Sequence, residues 1–189
     1  MCRLPATPHL RRAALARLVW GLLAGGLGLP GRAAPAVAAA DSEWSAPEVV
    51  ARILHYTRWP GEPRPLTVCI TRQSEGATAL LQRLQAADAG RALTTLAIDA
   101  DQPLPPACDV VFFDGWSLTG QQAALRRLAN RPVLTIGRGA EFCSDGGLFC
   151  LESRPGGTRF EVNLDAVARS GLRIHPQVLR LAQPPRSAG

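Results

Sequence analysis

The sequence predicts an α/β fold, a single-domain sandwich whose mostly parallel central sheet has five or six strands flanked by helices. Short apolar runs alternate with segments of helical hydrophobic spacing. One run, Val110-Val111-Phe112-Phe113, is apolar on both faces, as expected for a strand covered by helices. Two late strand-like segments joined by a Gly-rich turn add an antiparallel hairpin near the C-terminus.

The first half of the domain begins with a helix. Ser45 is placed to cap it, Pro47 suits the first turn, and Glu48 completes a capping box. Helical spacing continues to Thr57, and we expect Trp59-Pro60-Gly61 to end the helix because proline disfavours a helical residue before it. The elements predicted next are a strand at 66–70, a helix at 75–87, a strand at 92–98 and a strand at 110–113.

The second half continues the alternation and then departs from it. We predict a helix at 118–129 and a strand at 132–136, followed by strands at 148–152 and 159–162 around the turn at 153–157. Asn163 starts a further helix that Gly171 ends, and a last short helix begins at His175-Pro176 and runs to Leu181.

Residues 1–40 have the features of a secretory signal peptide. Arginines open the segment, a short apolar run extends from Leu18 to Leu29, and Ala38-Ala39-Ala40 provides a cleavage site before Asp41. We therefore expect a periplasmic protein with a folded domain at 41–182 and a flexible tail at 183–189.

Charge excludes one class of partner. All 21 basic residues are arginine, and five of them fall in the leader, whereas all 15 acidic residues lie at or after Asp41. The chain after the leader is therefore close to neutral. Because nucleic-acid binding requires a concentrated positive surface, we predict no nucleic-acid partner.

Four cysteines follow the leader: Cys69, Cys108, Cys143 and Cys150. In an oxidising compartment they favour disulfides over a zinc site, since no C-x-x-C and no paired histidines occur. The short loop favours Cys143 with Cys150, which leaves Cys69 with Cys108. That second pair poses a geometric problem, because Cys69 lies late in its strand while Cys108 precedes its own.

Candidate catalytic groups are few. His55 and His175 fit structural roles, and Gly137-Arg138-Gly139 lacks the spacing of a dinucleotide site. Asp114, Gly115 and Trp116 follow a strand at the sheet edge where α/β proteins bind ligands, so they are the candidate small-molecule site. No catalytic motif, metal site or cofactor site is found, and we predict a binding protein rather than an enzyme.

The chain from about Glu48 to Ala182 resembles the YfiR family of periplasmic regulators. The last blocks carry most of the likeness: Arg159-Phe160-Glu161-Val162-Asn163-Leu164, Ser170-Gly171-Leu172 and Gln177-Val178-Leu179-Arg180-Leu181-Ala182. Earlier blocks stand in the same order: Tyr56-Thr57-Arg58-Trp59-Pro60, Leu66-Thr67-Val68-Cys69-Ile70, Gly90-Arg91, Cys108-Asp109-Val110-Val111-Phe112 and Pro132-Val133-Leu134-Thr135-Ile136-Gly137. The chain departs from the family at Arg138-Gly139-Ala140-Glu141 and at His175-Pro176.

The resemblance implies an exported α/β domain, often a homodimer, that represses a membrane-bound diguanylate cyclase by binding its periplasmic region. Such repression lowers cyclic di-GMP and biofilm formation. The resemblance also implies that an outer-membrane peptidoglycan-binding lipoprotein can sequester the repressor. It implies, finally, the disulfides Cys69–Cys108 and Cys143–Cys150.

The expected partner-binding residues are Phe149, Glu161 and Val167. On the residues alone they would form an apolar patch around one carboxylate, and the resemblance points to the same three positions. They could equally all belong to the core. The alternative functions are a periplasmic small-molecule sensor binding at Asp114, Gly115 and Trp116, and an exported redox or hydrolytic enzyme using a labile Cys143–Cys150 pair.

Overall fold

A computed structural model describes residues 44–61, 63–86 and 92–181. The predicted leader at 1–40 and tail at 183–189 lie outside the described residues. The helices of the described part are α1 (Ala46–His55), α2 (Ala77–Ala86), α3 (Leu118–Leu128), α4 (Ala140–Ser144), α5 (Leu164–Ser170) and α6 (Gln177–Leu181). The strands are β1 (Thr57–Arg58), β2 (Leu66–Thr71), β3 (Leu93–Ile98), β4 (Val110–Phe113), β5 (Leu134–Arg138), β6 (Phe149–Arg154), β7 (Gly157–Val162) and β8 (Arg173–Ile174).

The main sheet has six strands in the order β3-β2-β4-β5-β6-β7. The first five are parallel, and β7 returns antiparallel to β6. The predicted α/β sandwich with a late hairpin is therefore confirmed. β2 leads to β3 on one side and β4 lies on its other side, so the strand order reverses between β2 and β4.

Two apolar layers cover the sheet. On one face, α1 and α2 pack their buried residues, among them Ile53 and Leu80, against Val68, Leu134 and Phe149. On the other face, α3 packs against Val111 and Phe113, and Phe142 of α4 joins the same layer. This two-sided cover explains why β4 is apolar at every position.

The N-terminal helix ends four residues before the predicted stop, at His55. Thr57 and Arg58 instead form β1, which pairs antiparallel with β8, a strand the sequence did not predict. The Thr57 hydroxyl donates to the Ile53 carbonyl at 2.7 Å, and the His175 amide donates to the Tyr56 carbonyl at 2.9 Å. The pairing of β1 with β8 thus uses backbone groups that would otherwise have continued the helix. The expectation that Trp59-Pro60-Gly61 ends the helix was therefore wrong.

The late hairpin is tighter than predicted, because its strands run to Arg154 and resume at Gly157. Gly156 and Gly157 both have a positive φ, 93° and 109°. Glycine adopts this conformation without steric cost, which lets the chain reverse in two residues.

No helix among the described residues has both the length and the apolar character needed to cross a bilayer.

Candidate functional site

The three predicted partner-binding residues do not form the expected exposed apolar patch. Phe149 opens β6 and is fully buried, with its ring 5.8 Å from that of Phe160. Val167 on α5 is half-buried against the same layer. Glu161 on β7 lies opposite Cys150, and cross-strand neighbours point to the same face, so its side chain emerges on the α4 face. The expected apolar patch around a carboxylate is therefore corrected: Phe149 is core, and Glu161 is exposed on the other face of the sheet.

One exposed apolar side chain near these residues was missed by the sequence reasoning. Leu164 is 63% exposed and begins α5 directly after the N-cap Asn163. It is three residues before Val167, a spacing that places both on one side of the helix. The buried face of α5 carries Ala166 and Ser170, and Leu164 lies outside it. An apolar residue off that face was the signal that could have identified Leu164. We call Glu161, Leu164 and Val167 the β7–α5 surface.

Asn163 fixes the start of α5 and joins this region to the short disulfide loop. Its side-chain oxygen accepts from the Ala166 amide at 2.9 Å, an N-cap. Its side-chain amide donates to the Cys143 carbonyl at 2.7 Å. The position of the β7–α5 surface is therefore linked to the loop that the Cys143–Cys150 bridge closes.

Asp114, Gly115 and Trp116 do come together, at the carboxyl ends of the strands where the strand order reverses. Asp114 is 15% exposed and accepts from the Ser74 hydroxyl at 2.6 Å and from the Arg138 guanidinium at 3.3 Å. The Trp116 indole donates to the Thr71 hydroxyl at 2.8 Å. This crevice is the position where open α/β sheets bind ligands, but its carboxylate is already occupied by protein donors.

Gly115 has a φ of +78° and lies tightly over the loop after β2, since an added Cβ would be 3.3 Å from the Gln73 carbonyl oxygen. The contacts of Asp114, Gly115 and Trp116 thus fasten the loops after β2, β4 and β5 to one another. An open depression of about 360 Å³ adjoins this crevice, lined by Arg138 and by Gly139, Leu151, Glu152, Ser153 and Arg154. The Arg138 side chain is 45% exposed; it lines the depression and also contacts Asp114 in the crevice. A ligand bound in the depression would therefore contact the crevice at Arg138.

Both expected disulfides are present, each with a Cα–Cα distance of 5.7 Å. β2 and β4 are indeed adjacent and parallel, with Cys69 opposite Val111. The Cys108 amide donates to the Pro105 carbonyl at 3.2 Å, so the chain turns before β4 instead of extending it. That turn brings Cys108 back towards Cys69 and resolves the geometric problem.

The described residues whose pKa values are shifted, Glu48 and Arg64, belong neither to the β7–α5 surface nor to the crevice at Asp114. Two hydrogen bonds from Ser45, the backbone one foremost, lower the pKa of Glu48 at the start of α1. A hydrogen bond to Asp109 raises the pKa of Arg64. Among the described residues, no cluster of His, Cys, Asp or Glu is arranged to hold a metal ion.

Comparison with known proteins assigns the family. A sequence model described as YfiR/HmsC-like matches residues 46–183, which is most of the chain. The chain belongs to this family. The family is one of periplasmic regulators of the cyclic di-GMP system and is regulatory rather than catalytic.

The fold also matches a solved structure, titled as a conserved domain protein from Vibrio cholerae O1 biovar El Tor strain N16961. The TM-score is 0.51 at 15% sequence identity. The match covers 75% of this chain and 60% of that one, so the chain spans less than two thirds of the length of that protein. At this identity the likeness supports the α/β architecture alone.

Proposed function

We propose that this protein binds the periplasmic region of a membrane diguanylate cyclase and holds the cyclase inactive, which lowers cyclic di-GMP and biofilm formation. The family match over residues 46–183 carries the proposal, since the family implies interaction with such a domain. A repressor that acts by binding alone must have a higher affinity for the inactive state of its target than for the active state. The signal that relieves repression therefore has only to change the difference in affinity for the two cyclase states.

The β7–α5 surface is the proposed binding surface. Glu161 and Leu164 are exposed, and Val167 is half-buried on the same helix as Leu164. Phe149 is not part of this surface, because its ring fills the core against Phe160. A substitution of Phe149 would therefore act on folding, whereas substitutions of Glu161 and Leu164 would act on contact with the partner.

The test is binding of the purified chain to the periplasmic domain of any diguanylate cyclase encoded beside it. Glu161→Arg reverses an exposed charge, and we expect at least a tenfold weaker complex with an unchanged unfolding midpoint. Leu164→Ser should weaken binding through lost apolar contact. Glu75→Arg makes the same charge change at an exposed position beside α2 and should bind like the wild type.

Equal weakening by Glu75→Arg would show a general charge effect and remove the case for the β7–α5 surface. Absence of binding by the wild-type chain to any cyclase domain would remove the repressor proposal itself.

An outer-membrane peptidoglycan-binding lipoprotein is proposed as the sequestering partner, and the same variants test whether it competes for this surface.

A second candidate function is a small-molecule sensor at Asp114, Gly115 and Trp116. The observation in its favour is the crevice at the reversal of strand order, next to the depression at Arg138. We expect a sensor to show a thermal shift with an added metabolite that Arg138→Ala abolishes. Screening that raises the midpoint of both proteins equally would place the ligand elsewhere and count against this site.

A further inference from the structure

A cavity of about 130 Å³ lies where α3, α5 and the end of α4 meet. Its wall carries four charged side chains, which are Arg126, Arg131, Asp145 and Arg169. They come from four separate segments of the chain: α3, the loop before β5, the C-cap of α4, and α5. None of the residues that line the cavity belongs to the β7–α5 surface, to the crevice at Asp114 or to the depression at Arg138.

The three arginines of the cavity are exposed and unpaired. Their guanidinium groups make no ion pair and no hydrogen bond with any other residue that the structure describes. Elsewhere in the described part of the chain, four arginines each have a carboxylate partner: Arg64, Arg72, Arg138 and Arg154. Positive side chains that line one cavity repel one another, so an anion bound among them would be stabilised.

The negative groups of the cavity do not cancel this positive charge. They are the Asp145 carboxylate and the C-terminal ends of α3 and α5, which also lie on the cavity. A helix end carries about half an elementary charge, so the three arginines leave a net positive charge of about one. That charge attracts a small anion.

Asp145 provides a hydrogen-bond acceptor beside the arginines. Its Oδ1 accepts from the Gln122 side-chain amide at 3.0 Å, whereas its Oδ2 is buried and has no donor among the described residues. Arg126 is four residues after Gln122, so both lie on the side of α3 next to Asp145. A buried oxygen without a donor costs free energy. The last torsion of an aspartate is soft, so a modest turn presents Oδ2 to a ligand that carries an O–H group.

We propose that this cavity binds hydrogen phosphate, the free inorganic anion. The planar guanidinium groups of the three arginines would donate to its ionised oxygens, a geometry that arginine favours with phosphate. Its O–H group would donate to Oδ2 of Asp145. The cavity volume is well below the roughly 300 Å³ at which pockets for larger ligands begin, so it suits a compact inorganic anion.

Asp145 would also make the site selective. Orthophosphate keeps at least one O–H group at neutral pH, whereas sulfate has none. A phosphomonoester has a second pKa of about 6, so it has also lost its O–H group at neutral pH. Both would place an ionised oxygen against the Asp145 carboxylate, and like charges repel. The cavity is therefore expected to distinguish free phosphate from sulfate and from phosphate groups attached to metabolites.

The phosphate site does not depend on binding to a cyclase. It does lie on the same helix as the β7–α5 surface, because α5 carries Arg169 as well as Leu164 and Val167. A bound phosphate would therefore contact the helix that forms part of that surface.

Isothermal titration calorimetry of the purified chain with sodium phosphate, sodium sulfate and glycerol 3-phosphate, at neutral pH and constant ionic strength, tests the proposal. We expect phosphate to bind and the other two anions to show no measurable binding. Arg126→Gln and Arg169→Gln should each weaken phosphate binding about tenfold, through loss of one charge-assisted contact. Arg127→Gln makes the same change at an exposed position of α3 that does not line the cavity, and should bind like the wild type.

Asp145→Asn tests the selectivity and keeps an oxygen that can accept from Gln122. The amide nitrogen that replaces Oδ2 donates hydrogen bonds, so this variant should bind sulfate and lose the preference for phosphate. Unfolding midpoints without ligand show whether each variant folds. Absence of phosphate binding by the wild type, or equal affinity of the wild type for phosphate and sulfate, would overturn the proposal. Equal weakening by Arg127→Gln and Arg126→Gln would also overturn it, and none of these outcomes bears on repression of a cyclase.

Discussion

At the scale of single residues, Asp109 shows how one buried carboxylate is satisfied. Its side chain is 8% exposed and accepts from Arg64 at 2.8 Å and from the Thr67 amide at 2.9 Å. Its own amide donates to the Thr67 carbonyl at 2.9 Å, so Asp109 fixes β4 to β2 at the start of both strands. The carboxylates flanking β4 thus have separate roles: Asp109 fixes the strands at one end, and Asp114 fastens loops at the other.

Glu48 makes a prediction about pH. Its carboxylate accepts from the Ser45 amide at 2.8 Å and from the Ser45 hydroxyl at 2.9 Å, and these bonds lower its pKa in the folded protein. A lowered pKa contributes stability that is present above the unfolded value of about 4.3 and is lost as the pH falls through the folded value. We expect Glu48→Ala to cost about 0.5–1 kcal/mol at pH 7.

The measurement is urea unfolding of both proteins between pH 7 and pH 3. The difference in free energy of unfolding should shrink below pH 4, because the wild-type carboxyl becomes protonated. Glu48→Gln keeps an uncharged acceptor, so its loss relative to the wild type should be smaller at pH 7 and should also shrink below pH 4. A difference that stays constant down to pH 3 would mean that the charge of Glu48 contributes nothing.

At the scale of elements, α4 is the helix that the sequence did not predict. It is five residues long, and its Phe142 is fully buried between Gly137 of β5 and Gly147. A Cβ at Gly147 would lie 2.1 Å from the Phe142 ring, and one at Gly137 would lie 2.4 Å from it. These two glycines thus serve as space for an aromatic ring, whereas the sequence presented Gly147 only as part of a turn.

This packing predicts a large effect of a small substitution. Gly147→Ala places a methyl group inside the Phe142 ring contact, and overpacking of this kind costs about 1–3 kcal/mol. Chemical denaturation should show that loss, whereas Ser144→Ala, at the exposed C-terminal end of α4, should stay within about 0.5 kcal/mol of the wild type. Equal stability of Gly147→Ala and the wild type would mean that α4 shifts freely, and would remove the role assigned to Phe142.

At the scale of the whole molecule, two bridges tie different parts of the sheet. Cys69–Cys108 closes a sequence separation of 39 residues and joins β2 to the turn before β4, whereas Cys143–Cys150 closes a separation of 7 and fixes α4 to β6. Cys69, Cys108 and Cys150 are buried in the same apolar layer, and Cys143 packs at its margin. The long bridge therefore restrains the unfolded chain more than the short one.

Stability should follow that difference. Chain entropy assigns about 4 kcal/mol to the long loop and about 2.5 kcal/mol to the short one. We expect Cys69→Ser with Cys108→Ser to lower the unfolding midpoint more than Cys143→Ser with Cys150→Ser. Calorimetry of the two double variants measures the unfolding midpoint of each. The reverse order would show that packing of α4 against β6, and not loop entropy, governs the contribution of the bridges.

The sequence by itself determined the α/β class, the main strands and helices, and the family. These follow from local signals: hydrophobic period, capping residues such as Ser45 and Glu48, and the blocks around Phe160 and Leu164. Phe149 and Glu161 looked like neighbours on a surface because the sequence shows apolar and charged positions but not which face of the sheet each one occupies.

Only the tertiary structure decided that question, together with the end of α1, the existence of α4 and β8, and the meeting of Cys69 with Cys108. Each depends on contacts between segments distant along the chain. The β1–β8 pair takes backbone groups that helical spacing assigned to α1. The turn at Pro105 redirects Cys108. Local preference cannot reveal such outcomes, because the free energy that selects them comes from partners the local sequence does not contain.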